Sequence, residues 1–136
     1  MPLRLEILTP ERQVYEGEVD MVIAPGSEGY LGILPHHAPL LTGLGPGEFR
    51  IKKGGTEEVL AVFGGFMDVR GDRVTVLTDA AEHAEEIDEA QAQAARDAAQ
   101  REVASAVSPA DEARARASLE RSLVRLRVSQ RRRRRV

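Results

Sequence analysis

The chain has 136 residues, a length that suits one small domain or a small domain with an appendage. It contains no cysteine, which excludes disulfides and thiolate metal sites, and its 19 basic and 22 acidic side chains give a net charge of −3. Its longest apolar runs are about five residues, far short of the roughly 20 that span a bilayer.

The two halves of the chain differ in composition. All 12 glycines lie at or before Gly71, and every aromatic residue lies at or before Phe66. From residue 84 onward alanine dominates, with one proline and no glycine. Because Gly and Pro favour turns whereas Ala, Glu, Gln and Arg favour helix, we predict a β-rich module over residues 1–84 and a helical one over 85–136.

Apolar and polar residues alternate in several short runs of the first half, which is typical of half-buried strands. The runs are 3–7, 18–23, 48–52, 59–63, 66–69 and 74–77. In the second of them, Val19, Met21 and Ile23 are predicted to face inward. Gly54-Gly55 and Gly71 suit tight hairpin turns. Many short strands at regular spacing favour an antiparallel β-sandwich or barrel.

The second half predicts two helices. Asp88 is a suitable N-cap for a helix that runs to about Val107. Ser108 caps a second helix, with Pro109 at its first position, that runs to about Val128 or beyond. The short connection implies an antiparallel hairpin. The fold class is therefore α+β, with an N-terminal antiparallel β-sandwich followed by a two-helix hairpin.

The hairpin is predicted to pack through an apolar stripe on each helix. The stripes comprise Leu119, Leu123 and Leu126 on the second helix and Ala92, Ala95, Ala99, Val103 and Ala106 on the first. Alanine buries little area, so the stripe on the first helix contributes far less than a leucine stripe. We hypothesise that both helices persist but can separate from each other and from the β-module.

Positive charge is concentrated in the last 24 residues of the sequence. Residues 113–136 carry ten arginines and one acidic residue, Glu120, whereas residues 1–112 are acidic overall. Arg114, Arg121 and Arg125 lie within about 40° of one another on the second helix. This asymmetry indicates an acidic partner for the second helix.

No catalytic constellation is found. His36 and His37 are neighbours in a loop and point apart, so they make a poor metal site, and Glu57-Glu58 is not a facing acid–base pair. Nucleophile-elbow, Walker and dinucleotide motifs are absent from the sequence. We therefore predict neither a catalytic site nor a metal, and a small hydrolase has no motif in its favour.

Arg131 to Arg135 could attract nucleic acid, anionic lipid or an acidic protein surface. Aromatic residues that would stack on bases are missing from this half, so no nucleic-acid partner is expected. A nucleotide- or nucleic-acid-binding module that uses the basic second helix remains the alternative.

Eight segments of the chain match one known family, and the loop 32–39, Gly-Ile-Leu-Pro-His-His-Ala-Pro, is the most specific of them. The segments are 8–12, 15–19, 24–29, 32–40, 64–66, 74–77, 87–88 and 121–126. Over residues 2–130 the sequence resembles the epsilon subunit of bacterial F-type ATP synthase, which is equivalent to the mitochondrial delta subunit.

The resemblance implies a noncatalytic rotor subunit in the central stalk that couples ion flow through the membrane ring to ATP synthesis. Its partners would be the gamma subunit, the c-ring and the catalytic beta subunit with alpha. It would lie at the cytoplasmic face of the bacterial plasma membrane and reach the membrane only through the c-ring. The start of the chain lacks the pattern of an export signal, in keeping with this location. The ring- and gamma-contacting loop would comprise Tyr30, Gly32, Ile33, Leu34, Pro35, His36 and His37.

The resemblance also implies that the hairpin lies folded on the sandwich or extends along gamma, where it inhibits ATP hydrolysis. Arg114, Arg121 and Arg125 would then face an acidic segment of the catalytic subunit. Some family members bind ATP through an Ile/Leu-Asp-x-x-Arg-Ala motif, in which this chain has Gln91 in place of the arginine. An amide lacks the charge and the fork of a guanidinium. The resemblance thus implies a weak nucleotide site at Ile87, Asp88, Arg121 and Arg125, with ATP as a regulatory ligand and no other cofactor.

Overall fold

A computed structural model describes residues 2–134, with side chains to residue 131, and the chain divides into two compact units that meet at His83 and Ala84. The first unit contains the strands β1 (Leu3–Leu8), β2 (Gln13–Val19), β3 (Met21–Gly26), β4 (Gly29–Ile33), β5 (Leu40–Gly43), β6 (Pro46–Lys53), β7 (Thr56–Phe63), β8 (Phe66–Arg70), β9 (Arg73–Leu77) and β10 (Ala81–His83). The second contains a 3-10 turn (Ala84–Glu86) and the helices α1 (Glu89–Ser105) and α2 (Pro109–Arg134). The predicted α+β class is confirmed. Arg135 of the predicted arginine run lies outside the described residues.

The strands form two five-stranded sheets. Their strand orders are β2-β1-β9-β8-β5 in the first sheet and β10-β7-β6-β3-β4 in the second. Adjacent strands are antiparallel except β1 and β9, which pair in parallel. The predicted sandwich is thus present with one parallel pair, a detail that alternation along a single strand does not encode.

The core of the sandwich is built by the inward-facing residues of the alternating strands. Its largest fully buried side chains include Phe49, Leu3, Leu5, Ile7, Ile33, Ile51, Leu60 and Met67. The prediction for β3 is wrong in phase, because Val22 and Ala24 are buried whereas Met21 and Ile23 are only partly covered. Asp20 lies between β2 and β3, so the alternation restarts on the other face after Val19.

The two predicted hairpin turns are confirmed. Lys53 pairs with Thr56, and Gly54 and Gly55 have φ of 57° and 83°, as a primed two-residue turn requires. Arg70 pairs with Arg73 around Gly71, which has a φ of 57°. A side chain with a Cβ would strain all three glycine positions.

One polar cluster links the two sheets of the sandwich. His83 Nδ1 lies 2.7 Å from Glu58 Oε2 of β7, and His83 Nε2 lies 3.0 Å from the carbonyl oxygen of Val14 in β2. Tyr15, the residue after Val14, is partly buried near Glu58. Burial, and secondarily the negative charge of Glu58, raises the pKa of the Tyr15 hydroxyl.

Because the pKa of Tyr15 is raised, the free energy of unfolding should fall as the pH rises through the alkaline range. The stabilising effect is fully present below the unfolded-state pKa, about 10, and is lost as the pH rises through the higher folded-state pKa. We therefore expect the Tyr15→Phe variant to lose less stability than the wild type between about pH 9 and 11. Urea unfolding followed by circular dichroism at both pH values measures the difference. Identical pH slopes for the two proteins would contradict the assignment.

The second unit is an antiparallel hairpin whose caps match the prediction. Asp88 accepts a hydrogen bond from the Gln91 backbone N–H (3.1 Å), and Ser108 Oγ accepts one from the Asp111 N–H (3.1 Å). These bonds satisfy helix N-terminal donors that would otherwise have no partner.

Small residues form the buried seam of the hairpin. Ala92 and Ala99 are buried on α1. On α2, one side buries Ala115, Ser122, Leu126 and Ser129, and the opposite side buries Val124 and Val128. The prediction for Leu123 is wrong, because this side chain is 36% exposed. At 100° per residue, the seam is rotated by about 60° from the leucine stripe. Alanine and serine permit a closer approach of the two helices than leucine does, and Leu126 belongs to both the seam and the predicted stripe.

Candidate functional site

The predicted contact loop begins in the edge strand β4 and continues to β5. Tyr30 and Leu34 are large apolar side chains that are more than half exposed, whereas Ile33 between them is completely buried. Gly32 and His36 are exposed, and Pro35 and His37 are partly covered. Six members of the predicted set therefore reach the surface of the sandwich, and Ile33 anchors the loop in the core.

The Tyr30 side chain also makes a hydrogen bond within the sandwich. Its hydroxyl oxygen accepts a hydrogen bond from the backbone N–H of Glu48 in β6 (3.1 Å). Pro25 of β3 pairs with Tyr30 and lies beside Gly47 of β6, and it has no backbone N–H of its own. The Tyr30 ring thus reaches across the end of the second sheet and is held in a defined orientation at the surface.

His36 has an unusual backbone conformation. Its φ is 68°, a left-handed conformation that is uncommon for residues other than glycine. Such a conformation costs roughly 1 kcal/mol or more and persists where the surroundings support it. The backbone N–H of His36 donates to Asp72 Oδ1 (3.0 Å).

A second surface on the sandwich escaped the sequence reasoning. Leu41, Phe66 and Leu77 in the first sheet are 72%, 60% and 54% exposed, and we call them the apolar patch. Phe66 pairs with Leu77 across β8 and β9, and register places Leu41 on the same outer face. The sequence did carry a signal, since Phe66 and Leu77 fall on the polar phase of strands whose inward residues are Met67 and Val76.

An open groove of about 510 Å³ adjoins the patch. Besides Phe66 and Leu77, it is lined by Leu8, Thr9, Pro10, Gly65, Thr78 and Asp79. Its wall is mostly apolar, which suits the insertion of an apolar side chain from another protein.

The predicted basic face lies along α2. Arg114 and Arg121 are exposed, and Arg125 is partly covered. Arg114 forms an ion pair with Asp111 one turn earlier, so the face is less uniformly positive than its arginine spacing indicates. Arg116 likewise pairs with Glu112 (3.3 Å), on another side of the helix.

α2 also has an exposed apolar strip beside its charged residues. Leu119 is partly covered and Leu123 is exposed, one turn apart, and an open groove of about 540 Å³ runs past them. Arg116, Glu120 and Arg127 flank this groove. A helix with an uncovered leucine strip between charged side chains is typical of a surface that packs on another protein.

The residues of the predicted nucleotide set lie at the open end of the hairpin. Ile87 is buried, and Asp88 is engaged as the N-cap of α1. Arg125 Nη2 donates to Gln91 Oε1 across the hairpin at 3.4 Å, a long and weak bond. Arg125 is thereby near the residue that replaces the motif arginine, and nucleotide binding remains a prediction.

Within the described part of the chain, no group of three or more His, Asp or Glu side chains is arranged to hold a metal ion. Neither helix, over residues 2–134, has the length and apolar character needed to cross a bilayer.

Comparison with known proteins identifies both units. The family model "ATP synthase, Delta/Epsilon chain, beta-sandwich domain" matches residues 2–84, and "ATP synthase, Delta/Epsilon chain, long alpha-helix domain" matches residues 85–130. The ATP synthase epsilon chain of Dehalococcoides mccartyi strain BAV1 is 52% identical over 132 residues, covering 96% of this chain and 94% of the relative. That of Herpetosiphon aurantiacus is 51% identical over 135 residues, covering 99% of each.

Solved structures share the fold at low sequence identity. A chain of the Euglena gracilis mitochondrial ATP synthase OSCP/F1/c-ring structure matches with a TM-score of 0.84 and 22% identity, covering 95% of this chain and 81% of that one. A chain of the Tetrahymena thermophila mitochondrial ATP synthase central stalk/c-ring structure matches with a TM-score of 0.64 and 16% identity, covering 95% and 97%.

Proposed function

The chain belongs to the delta/epsilon-chain family of ATP synthase, and on this premise we propose that it is a noncatalytic central-stalk subunit. In this role it couples ion flow through the membrane ring to ATP synthesis, and its helical hairpin restrains ATP hydrolysis. It resides at the cytoplasmic face of the bacterial membrane and is attached there through other subunits.

The apolar patch is the observation that carries the proposal. Monomeric soluble proteins seldom leave large apolar side chains clustered in water, and such clusters mark interaction surfaces. Phe66 and Leu77 form an exposed cross-strand pair beside a groove, while the interior of the same strands is completely packed. The gamma subunit is the partner that covers this patch.

The predicted contact loop, which runs from Tyr30 in β4 to His37 and which we also call the β4–β5 loop, provides a different contact. Its exposed Tyr30 and Leu34 lie on the second sheet and the connection that follows it, whereas the apolar patch lies on the first sheet. A subunit with two contact surfaces can join two partners at once. We assign the loop to the polar ends of the c-ring and the patch to gamma.

The hairpin supplies the regulatory element. The buried residues of α1 are both alanines, so separating α1 from α2 exposes little apolar surface of α1. α2 presents Arg114 and Arg121 together with the uncovered Leu123. These features suit docking on an acidic surface of the catalytic beta subunit, where the helix would obstruct rotation in the direction of hydrolysis.

The gamma contact can be tested with matched charge insertions. In the full chain, Phe66→Glu and Leu77→Glu are each expected to weaken binding to purified gamma subunit by about tenfold or more, because a carboxylate would be buried in an apolar interface. Val107→Glu is the control, since Val107 is 91% exposed on the connection between the helices. Surface plasmon resonance measures the affinity of each variant and of the wild type for gamma. Wild-type affinity in both patch variants would refute the gamma assignment.

A further inference from the structure

The β4–β5 loop reverses direction at Pro35 and His36. Proline at the second position followed by a positive φ at the third is the pattern of a type II turn, in which Gly or Asn usually occupies the third position. His36 occupies that position here with a φ of 68°, and it is the one non-glycine residue with a positive φ among residues 2–134. The turn therefore needs support from outside its own sequence.

A side chain 36 positions away provides that support. The His36 backbone N–H donates to Asp72 Oδ1 at 3.0 Å. The His36 ring is exposed, and its Nδ1 lies 3.9 Å from the same oxygen, beyond hydrogen-bond distance. Asp72 thus binds the backbone of the turn and not the imidazole, so the contact depends on the conformation of position 36 more than on its side chain.

Asp72 is itself firmly placed. It follows Gly71 in the tight β8–β9 turn, and its carbonyl oxygen accepts a hydrogen bond from the Arg4 N–H at 2.7 Å. The loop leaves β4 in the second sheet, whereas Asp72 belongs to a hairpin of the first. The carboxylate therefore ties the loop to the opposite sheet. The other hydrogen bond of the turn region, His37 Nδ1 to the Ala38 carbonyl (2.7 Å), stays within the loop.

We propose that Asp72 is the positioning residue of the ring-facing loop. By holding the His36 N–H, it fixes the turn and, with it, the direction in which Leu34 projects from the sandwich. Asp72 acts through the turn and does not contact the ring itself. The assignment rests on the proposed function of the loop as a c-ring contact.

The test compares full-length variants for affinity to c-ring purified in detergent. We expect Asp72→Ala to weaken binding by about tenfold, because the loss of a charge-assisted bond releases the turn. Asp72→Asn retains an acceptor oxygen and should recover most of the affinity. His36→Gly combined with Asp72→Ala should also recover part of it, since glycine adopts a positive φ without a Cβ. Asp68→Ala, on the same hairpin, is the control and should bind as the wild type does.

Two further readouts separate this proposal from the proposed function. Leu34→Glu tests the ring contact directly, and amide NMR spectra of Asp72→Ala report the loop conformation. Weak binding by both Leu34→Glu and Asp72→Ala supports the positioning role if resonances shift at residues 34–38 and elsewhere only around position 72. Wild-type binding by Asp72→Ala when Leu34→Glu binds weakly overturns it. Wild-type binding by Leu34→Glu would refute the proposed contact between the loop and the ring. In that case the positioning role is still tested by NMR, and unchanged loop resonances in Asp72→Ala would refute it.

Discussion

Deletion of residues 87–136 is expected to raise ATP hydrolysis by the assembled enzyme about fivefold or more, while ion pumping stays coupled to the remaining activity. The magnitude follows from the usual range of coupling free energies between a regulatory element and a distant site. The sandwich has its own buried core, which includes Phe49, Leu60 and Met67, so it should fold without the hairpin. Steady-state hydrolysis and ATP-driven pumping by enzyme reconstituted with either form measure the effect.

A matched set of point variants tests which face of the hairpin inhibits. Replacing Arg114, Arg121 and Arg125 together with alanine should reproduce much of the increase caused by the deletion. Replacing Arg96 and Arg101, which lie on α1, removes charge from the other helix and should leave hydrolysis close to that of the wild type. Unchanged hydrolysis in the deletion would contradict inhibition by the hairpin. Equal increases in the two sets of variants would attribute inhibition to charge alone, without a specific face.

The Gly65→Ala substitution is expected to lower the free energy of unfolding of the sandwich by about 3 kcal/mol or more. Gly65 has a φ of 107°, and a Cβ there would overlap the carbonyl oxygen of Leu77 and lie 2.6 Å from Thr78 Cα. Strain at such a φ costs roughly 1–3 kcal/mol, and the forced backbone shift costs a similar amount. The Gly65 carbonyl also accepts a hydrogen bond from the Leu44 N–H (2.8 Å), which restricts any relief by movement.

Gly45→Ala is the matched control, because a Cβ at Gly45 would meet no atom within 4 Å. Its effect should stay within about 1 kcal/mol and can be stabilising, since alanine restricts the unfolded chain. Urea denaturation followed by circular dichroism compares both variants with the wild type. Since Gly65 lies beside Phe66 in the groove, Gly65→Ala should also weaken gamma binding. Equal midpoints for the two variants would contradict the steric argument.

Local signals predicted most of the secondary structure correctly. The caps at Asp88 and Ser108 and the turns at Gly54 and Gly71 depend on residues within four positions of one another, so the sequence displays them directly. The alternation in β1 likewise identified Leu3, Leu5 and Ile7 as core residues.

Errors arose where a pattern extended beyond one element. The apparent alternation from Val19 to Ile23 spans the end of β2 and the start of β3, and the change of strand at Asp20 reversed its phase. On α2, a leucine stripe predicted the buried face, yet Leu126 alone of its three members is buried, together with Ala115, Ser122 and Ser129. The spacing of the arginines does not show that Asp111, in the preceding turn, pairs with Arg114 and reduces the positive charge of this face.

Local features of the chain predicted a sandwich followed by a hairpin, the places where the chain turns, and the family. Composition, periodicity and short motifs are properties of neighbouring residues, so they can be recognised before the fold is known. The exposed pair of Phe66 and Leu77 and the hydrogen bond from the His36 N–H to Asp72 arise only in the folded chain, because each joins residues from separate elements. Strand pairing brings together residues that are distant in sequence. The residues of one strand do not show which strand pairs with it or which of its faces stays exposed to water.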